Sequence, residues 1–270
     1  MVLEIENAQP LVMTIAGLDP SGGAGIIADI RAFLHFECTP VAALTSITFQ
    51  NSEAVFGAIH ETGDSLRAQI LPLIQEKKIA ALKLGMMPTA EIILEIAGFI
   101  RELQLPAPVI DPVFQSSSGY DLIEQDAIDV LRRDLMPLAR LITPNIPEAE
   151  ILTGVNIEDE QTMHEAAQRL REMGARAVLV KGGHLQREFG TGTSPMEAVD
   201  VLHAAGGETV FRSEWIEAPS VRGTGCMLSS AIAACLAQGL SLAESVRAAK
   251  DYVADVIRFV QETEADRVSP

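Results

Sequence analysis

Leu11-Val12-Met13-Thr14-Ile15-Ala16 runs into Gly17-Leu18-Asp19-Pro20-Ser21-Gly22-Gly23-Ala24-Gly25 and then into Ile26-Ile27-Ala28-Asp29-Ile30-Arg31-Ala32-Phe33. The first six residues read as a strand. The stretch Ala24–Phe36 reads as a helix with Ile26, Ile30 and Phe33 on one stripe. A loop of small residues joins the two. The same alternation continues along the chain. Strands are expected at Val41–Phe49, Ile79–Leu84, Pro108–Val113, Leu141–Thr143 and Ala177–Val180. Helices are expected from Asp64, as cap, through Gln75, then at Thr89–Leu103, Asp126–Leu135 and Thr162–Met173, the last stopped by Gly174. Runs such as Ala177-Val-Leu-Val180 do not alternate, which suits strands covered on both faces. The order predicts an α/β fold with a mostly parallel central sheet and helices on both faces.

The rhythm changes after His184. Gln186–Met196 is polar and Gly-rich and reads as a mobile loop. Glu197–His203 and Glu208–Glu217 read as two strands around Ala-Ala-Gly-Gly, a hairpin on the sheet edge. A helix follows Gly225 and stops at Gly239, and a capping box of Ser241 and Glu244 starts the last helix. No internal repeat or linker divides the chain. Residues 1–270 are expected to form one domain, with 1–10 and 262–270 as loosely ordered tails.

Composition narrows the function. The 270 residues are 48% hydrophobic, enough for a substantial core. The net charge of −17 argues against a non-specific nucleic-acid or anionic-membrane surface, and 4% aromatic content argues against a base-stacking platform. No apolar run reaches bilayer length, and the start lacks a basic signal-peptide region. Cys38, Cys226 and Cys235 form neither a disulfide framework nor paired metal-ligand spacing. A cytoplasmic location is the simplest expectation. An anionic substrate would need local help from helix ends, a metal ion or a few cations.

Arg222-Gly223-Thr224-Gly225-Cys226 supplies such help, because small helix formers follow it at once. The helix start offers free N–H groups and the positive end of a dipole, suited to charge on a phosphoryl group. Cys226 lies in that turn, where a lowered thiol pKa is expected; a Gly-rich turn with a buried cysteine is the alternative. In parallel sheets, ligands bind beyond the carboxyl ends of the strands, and polar residues collect there. The loop Gly17–Gly25 is not a P-loop, since Gly23 and Ala24 stand where Lys and Ser/Thr belong. It reads as the floor of a small-molecule pocket, or as a structural turn. Asp29 has Gly25, Ile26, Ala32 and Phe33 as helical neighbours, so its carboxylate needs a partner: a substrate hydroxyl or a salt bridge. Gln50 and Met86 would suit a flat heteroaromatic ring. Asp111 and Glu148 could hold hydrated Mg²⁺, and Lys181 could meet a nucleotide phosphate. Asn145 with Glu148 also reads as a capping box.

Taken as a set, Ala16–Ile26, Gln50-Asn51, Lys83-Leu-Gly-Met86, Asp111-Pro-Val113, Thr143-Pro-Asn-Ile-Pro-Glu148, Lys181-Gly-Gly-His184 and Gly223-Thr-Gly-Cys226 closely resemble the hydroxymethylpyrimidine/phosphomethylpyrimidine kinases, members of the ribokinase-like superfamily. The resemblance implies a three-layer αβα fold and a homodimer. It also implies Mg²⁺-dependent transfer of the ATP γ-phosphoryl group to 4-amino-5-hydroxymethyl-2-methylpyrimidine and then to its monophosphate, in thiamin biosynthesis. Carried over by motif, Gly17, Ala24, Asp29, Gln50, Met86 and Val113 line the pyrimidine pocket, with Asp29 on the hydroxymethyl group. Asp111, Asn145, Glu148 and Lys181 serve Mg²⁺ and phosphates. Gly223, Thr224 and Gly225 form the anion hole, and Cys226 stands where many relatives place an aspartate base. Phe49, Phe114 and Arg222 depart from the pattern, and the two phenylalanines are expected to narrow or reshape the pocket. A pyridoxal or pyridoxine kinase on the same scaffold, or a non-catalytic ligand-binding homologue, are the alternatives.

Overall fold

The computed structural model describes residues 9–183, 197–216 and 221–268. Nine strands among them form one sheet, in the order β3-β2-β1-β4-β5-β6-β7-β8-β9. The strands β1 (Leu11–Leu18), β2 (Thr39–Gln50), β4 (Ala81–Leu84), β5 (Val109–Ile110), β6 (Leu141–Ile142) and β7 (Val178–Gly182) are parallel. Antiparallel strands close the edges: β3 (Val55–His60) against β2, and the hairpin β8 (Glu197–Ala204) and β9 (Gly207–Glu214) against β7. The chain leaves β1 toward β2 and later returns to β1's other side at β4. The strand order therefore reverses there, which opens a crevice at the carboxyl ends of β1 and β4.

Side chains on successive strand residues point to opposite faces and feed two separate cores. Met13, Ile15, Leu82, Leu84, Ile110, Ile142 and Val180 pack in one core with α2 (Gly63–Glu76), α3 (Ala90–Glu102), α4 (Gln125–Val130), α5 (Ile146–Thr153) and α6 (Glu160–Glu172). Val12, Ala81, Val109, Leu141 and Leu179 face the other layer: α1 (Gly25–His35), α7 (Thr224–Ala237) and α8 (Leu242–Val268). This is the three-layer arrangement. Ser229, Ser230, Ala231, Ala233 and Ala234 of α7 are all buried, so small side chains let that helix lie close to the sheet.

Several boundaries differ from the sequence reading. Thr62, not Asp64, caps α2, accepting from the Ser65 amide at 3.2 Å. The expected helix Asp126–Leu135 is α4 followed by a π-helical turn, Leu131–Leu135. β3 was not anticipated, because Val-Phe-Gly-Ala-Ile-His is short, interrupted by Gly57 and exposed at Phe56 and Ile59. The last helix continues to Val268, beyond Gln261, where the polar tail was expected to begin. His184, the loop Gln186–Met196 and Glu217 lie outside the described residues. Among the described residues, no helix is long and apolar enough to cross a membrane.

Candidate active site

Alternation along the strands brings the ionisable groups together. Thr14, Lys83, Asp111, Thr143 and Lys181 share strand parity with Val12, Ala81, Val109, Leu141 and Leu179, so all five face α1 and α7 at the carboxyl end of the sheet. A single lysine in the apolar strand Ala81-Leu-Lys-Leu84 is costly unless it meets a charge. It meets Asp29 of α1. Lys83 Nζ lies 2.8 Å from Asp29 Oδ1 and 2.9 Å from Oδ2, with both side chains fully buried. Thr14 and Ser230 hydroxyls also donate to that carboxylate, at 2.6 and 2.7 Å. Burial works against the Lys83 charge, but Asp29, Cys226 and Asp111 outweigh it and raise its pKa. Asp29 is therefore a buried anchor, its oxygens occupied by Lys83, Thr14 and Ser230 and its surface fully covered.

The loop after β1 folds around its own anion. Asp19 accepts from the Ser21 amide and hydroxyl at 2.8 and 2.6 Å, and from the Gly23 and Ala24 amides at 3.1 and 3.0 Å. Amides that would cradle a phosphate in a P-loop are spent on Asp19. Burial raises the Asp19 pKa, but bonds from Ser21 and Gln50 and the Arg222 charge together hold it below the usual carboxylate range. Arg222 ties three segments together. It donates to Ser21 Oγ at 2.7 Å and to the Asn51 carbonyl at 2.8 Å, and its guanidinium covers Gly23. Gly25 needs its glycine because φ is +59° and a Cβ would fall 2.2 Å from the Gly17 carbonyl oxygen.

Gly223 opens α7 with φ at +73°, and a Cβ there would lie 2.2 Å from the Gly23 carbonyl oxygen. This contact fixes the helix start against the β1 loop. The first intrahelical bond runs from Met227 N to the Gly223 carbonyl, so the Thr224, Gly225 and Cys226 amides precede the helical ladder, and no side chain caps the turn. Thr224 and Gly225 border a cleft of about 990 Å³ that is also lined by Asn145, Lys181, Leu228, Val253 and Ile257. A Cβ on Gly225 would sit 3.1 Å from Lys181 Nζ and 3.7 Å from Asp111 Oδ2, so the bare backbone faces both charges directly.

Cys226 corrects one expectation. Its thiol is pushed up to about 12 by burial, then by Asp111 and Asp29, against the opposing influence of Lys83 and the Gly25 amide. The helix start does not lower it, because the surrounding carboxylates and the loss of water are stronger. The thiol hydrogen-bonds Asp111.

Lys181 Nζ donates to Asp111 Oδ1 at 2.7 Å. Burial opposes the charge of Asp111, yet Lys181 and Lys83 hold its pKa low. Asn145 and Glu148 form a complete capping box for α5: the Glu148 amide donates to Asn145 Oδ1 at 2.9 Å, and the Asn145 amide to Glu148 Oε2 at 2.8 Å. Glu148 is pushed up to about 7 by burial and by Asp111, against the pull of Lys181. Two nearby carboxylates, one of them held near protonation at neutral pH, make a site short of positive charge. A hard cation with oxygen ligands fits that deficit, so these residues are compatible with Mg²⁺.

Gly17 lies under Met86, whose sulfur would be 2.8 Å from a Cβ at that position. Ala24 and Gln50 belong to the Asp19 loop cluster, and Val113 follows Asp111 on the same rim. Phe114 is buried in the core, and Phe49, 48% exposed, leans on Gly57. The sequence reading missed Lys83 as a partner and Asp19 as the loop's organiser. The signals were a lone charge in a buried strand and an Asp-Pro step followed by the small residues Ser21-Gly22-Gly23-Ala24, whose amides can turn back to the carboxylate.

The phosphomethylpyrimidine kinase family matches residues 19–268. The chain is 41% identical over 251 residues to the thiamine biosynthesis bifunctional protein ThiED of Geobacter sulfurreducens, across 93% of this chain and 49% of that protein; it spans about half the length of that relative. Phosphomethylpyrimidine kinase from Clostridium difficile 630 superposes with a TM-score of 0.79 at 36% identity, covering 92% of this chain and all of that one. Bacillus subtilis pyridoxal kinase, solved as an ADP complex, gives 0.78 at 36% identity over 90% and 89% of the two chains. With its glycine-started helix over the lysine–aspartate pair, the chain is a kinase and belongs to the phosphomethylpyrimidine kinase family.

Proposed function

We propose that this chain transfers the γ-phosphoryl group of ATP to 4-amino-5-hydroxymethyl-2-methylpyrimidine, and then to the resulting monophosphate, supplying thiamine biosynthesis. The observation that carries this reading is the start of α7, where the Thr224, Gly225 and Cys226 amides precede the helical ladder and the bare Gly225 backbone lies against the Lys181–Asp111 pair. Phosphoryl transfer needs positioning and charge neutralisation more than covalent chemistry, and this site offers both.

Nucleotide would lie in the cleft, its base against Leu228, Val253 and Ile257 and its phosphates near Lys181 and Asn145. Asp111 and Glu148 would hold Mg²⁺, which when bound neutralises phosphate charge. The amides of Thr224 and Gly225, beside Gly223, would receive the transferring group. The acceptor would lie over Gly17, Ala24, Gln50, Met86 and Val113, with Asp29 beneath the site rather than on the substrate. Cys226 stands between the two halves as a neutral thiol bonded to Asp111; it would take the alcohol proton late in the transfer only while passing its own S–H proton to the Asp111 carboxylate. Exposed Phe49, Phe56 and Ile59 along the β2–β3 edge support a homodimer, which light scattering on the purified chain would measure.

Purified chain with Mg-ATP and the pyrimidine alcohol should give monophosphate and then diphosphate by mass spectrometry. The pyridoxal kinase neighbour makes pyridoxal the competing acceptor. A higher kcat/KM for pyridoxal in parallel assays overturns the substrate assignment, and no product from either alcohol overturns the kinase reading of the site.

A further inference from the structure

We propose that His164, His203 and Glu208 form a site for one divalent transition-metal ion, with Zn²⁺ as the leading occupant, that pins the β8–β9 hairpin to α6. The three residues come from three elements and no part of the phosphoryl-transfer site uses them. Their ligand atoms all lie within 4.8 Å of one another. His164 Nδ1 is 3.3 Å from His203 Nε2 and 3.0 Å from Glu208 Oε2, and His203 Nε2 is 3.0 Å from Glu208 Oε1. Tetrahedral Zn²⁺ with bonds of about 2.0–2.1 Å holds its ligand atoms roughly 3.3 Å apart, which the two imidazole nitrogens already match, with a Glu208 oxygen 3.0 Å from each of them.

Two imidazoles and a carboxylate are borderline donors that select Zn²⁺ and its neighbours over Mg²⁺. Without an ion the triad is awkward. If both facing nitrogens donate to Glu208, their two N–H groups meet 3.3 Å apart. The site is reachable, since Glu208 is 56% exposed while His203 is only 12% exposed. Three protein ligands leave a fourth position for water.

The location separates this site from the Asp111–Glu148 pair. His203 lies opposite Val178 at the start of β7, and Asp200 lies opposite Lys181 at its end. Three residues of strand put about 10 Å between those levels. The same hairpin strand carries Asp200, which accepts from the Gly182 amide at 3.1 Å and pairs with Lys250 at the cleft. A bound ion would therefore brace the strand that supports the nucleotide side of the cleft.

The test uses the full chain without an affinity tag, stripped with a chelator and titrated with Zn²⁺ against a chromophoric competitor. One equivalent should bind, and Co²⁺ in its place should give the intense visible absorption of a tetrahedral centre. Glu208→Gln and His164→Gln should each weaken Zn²⁺ by about tenfold or more, whereas Asp111→Asn should leave the affinity unchanged. Zn²⁺ should raise the melting temperature of the parent chain and not that of the two variants. Absence of a stoichiometric equivalent overturns the proposal. So does an affinity that survives in both variants, or one that disappears with Asp111→Asn.

Discussion

Replacing Lys83 by Met removes a fully buried ammonium that bonds both oxygens of Asp29 at 2.8 and 2.9 Å. The carboxylate keeps the Thr14 and Ser230 hydroxyls but loses its only bonded cation among the described residues. Each charge-assisted bond contributes about 1.5–3 kcal/mol. Breaking a buried pair from one side costs about 3–5 kcal/mol, because the remaining charge stays out of water. At roughly 2–4 °C per kcal/mol for a domain of this size, Lys83→Met should melt some 6–20 °C below the parent. The double variant Lys83→Met/Asp29→Asn leaves no charge at this pair and should recover more than half of that loss. Urea unfolding followed by circular dichroism, on the parent, both singles and the double, closes the cycle. A loss below about 1 kcal/mol for Lys83→Met, or a double whose loss equals the sum of the singles, would refute the charge-pairing argument.

Gly225→Ala places a methyl group 3.1 Å from Lys181 Nζ while improving helix propensity, so stability should hold or rise as kcat falls about 10- to 100-fold. Calorimetry paired with turnover checks this split, and unchanged turnover would mean that Lys181 has room to spare. Cys226→Ala should lower kcat by about 10²–10⁴-fold with KM for the pyrimidine retained; an unaltered kcat reduces Cys226 to packing. Glu148, pushed up to about 7 from an unfolded value near 4.5, favours the folded chain fully below that lower value. That contribution is lost as pH rises through 7, so metal-free protein should lose on the order of a few kcal/mol of stability between pH 4.5 and 7 relative to Glu148→Gln. Parallel pH profiles for the two proteins contradict this assignment.

Much was legible in the chain itself. Non-alternating apolar runs interleaved with 3.6-period stretches gave the parallel sheet and its two helical layers. The Asn145–Glu148 and Ser241–Glu244 capping boxes formed as read, because caps depend on residues three apart. Glycines at 223 and 225 marked the helix start for the same local reason. What depended on distant partners could not be read this way. Asp29 carried an open question, substrate hydroxyl or salt bridge, and only the approach of a strand 54 residues later answered it. The Cys226 thiol followed a local rule, the helix dipole, that burial and two carboxylates from other elements overruled. Sequence spacing set which face each strand residue points to; the order of strands in the sheet decided which charges meet there and how little water they share.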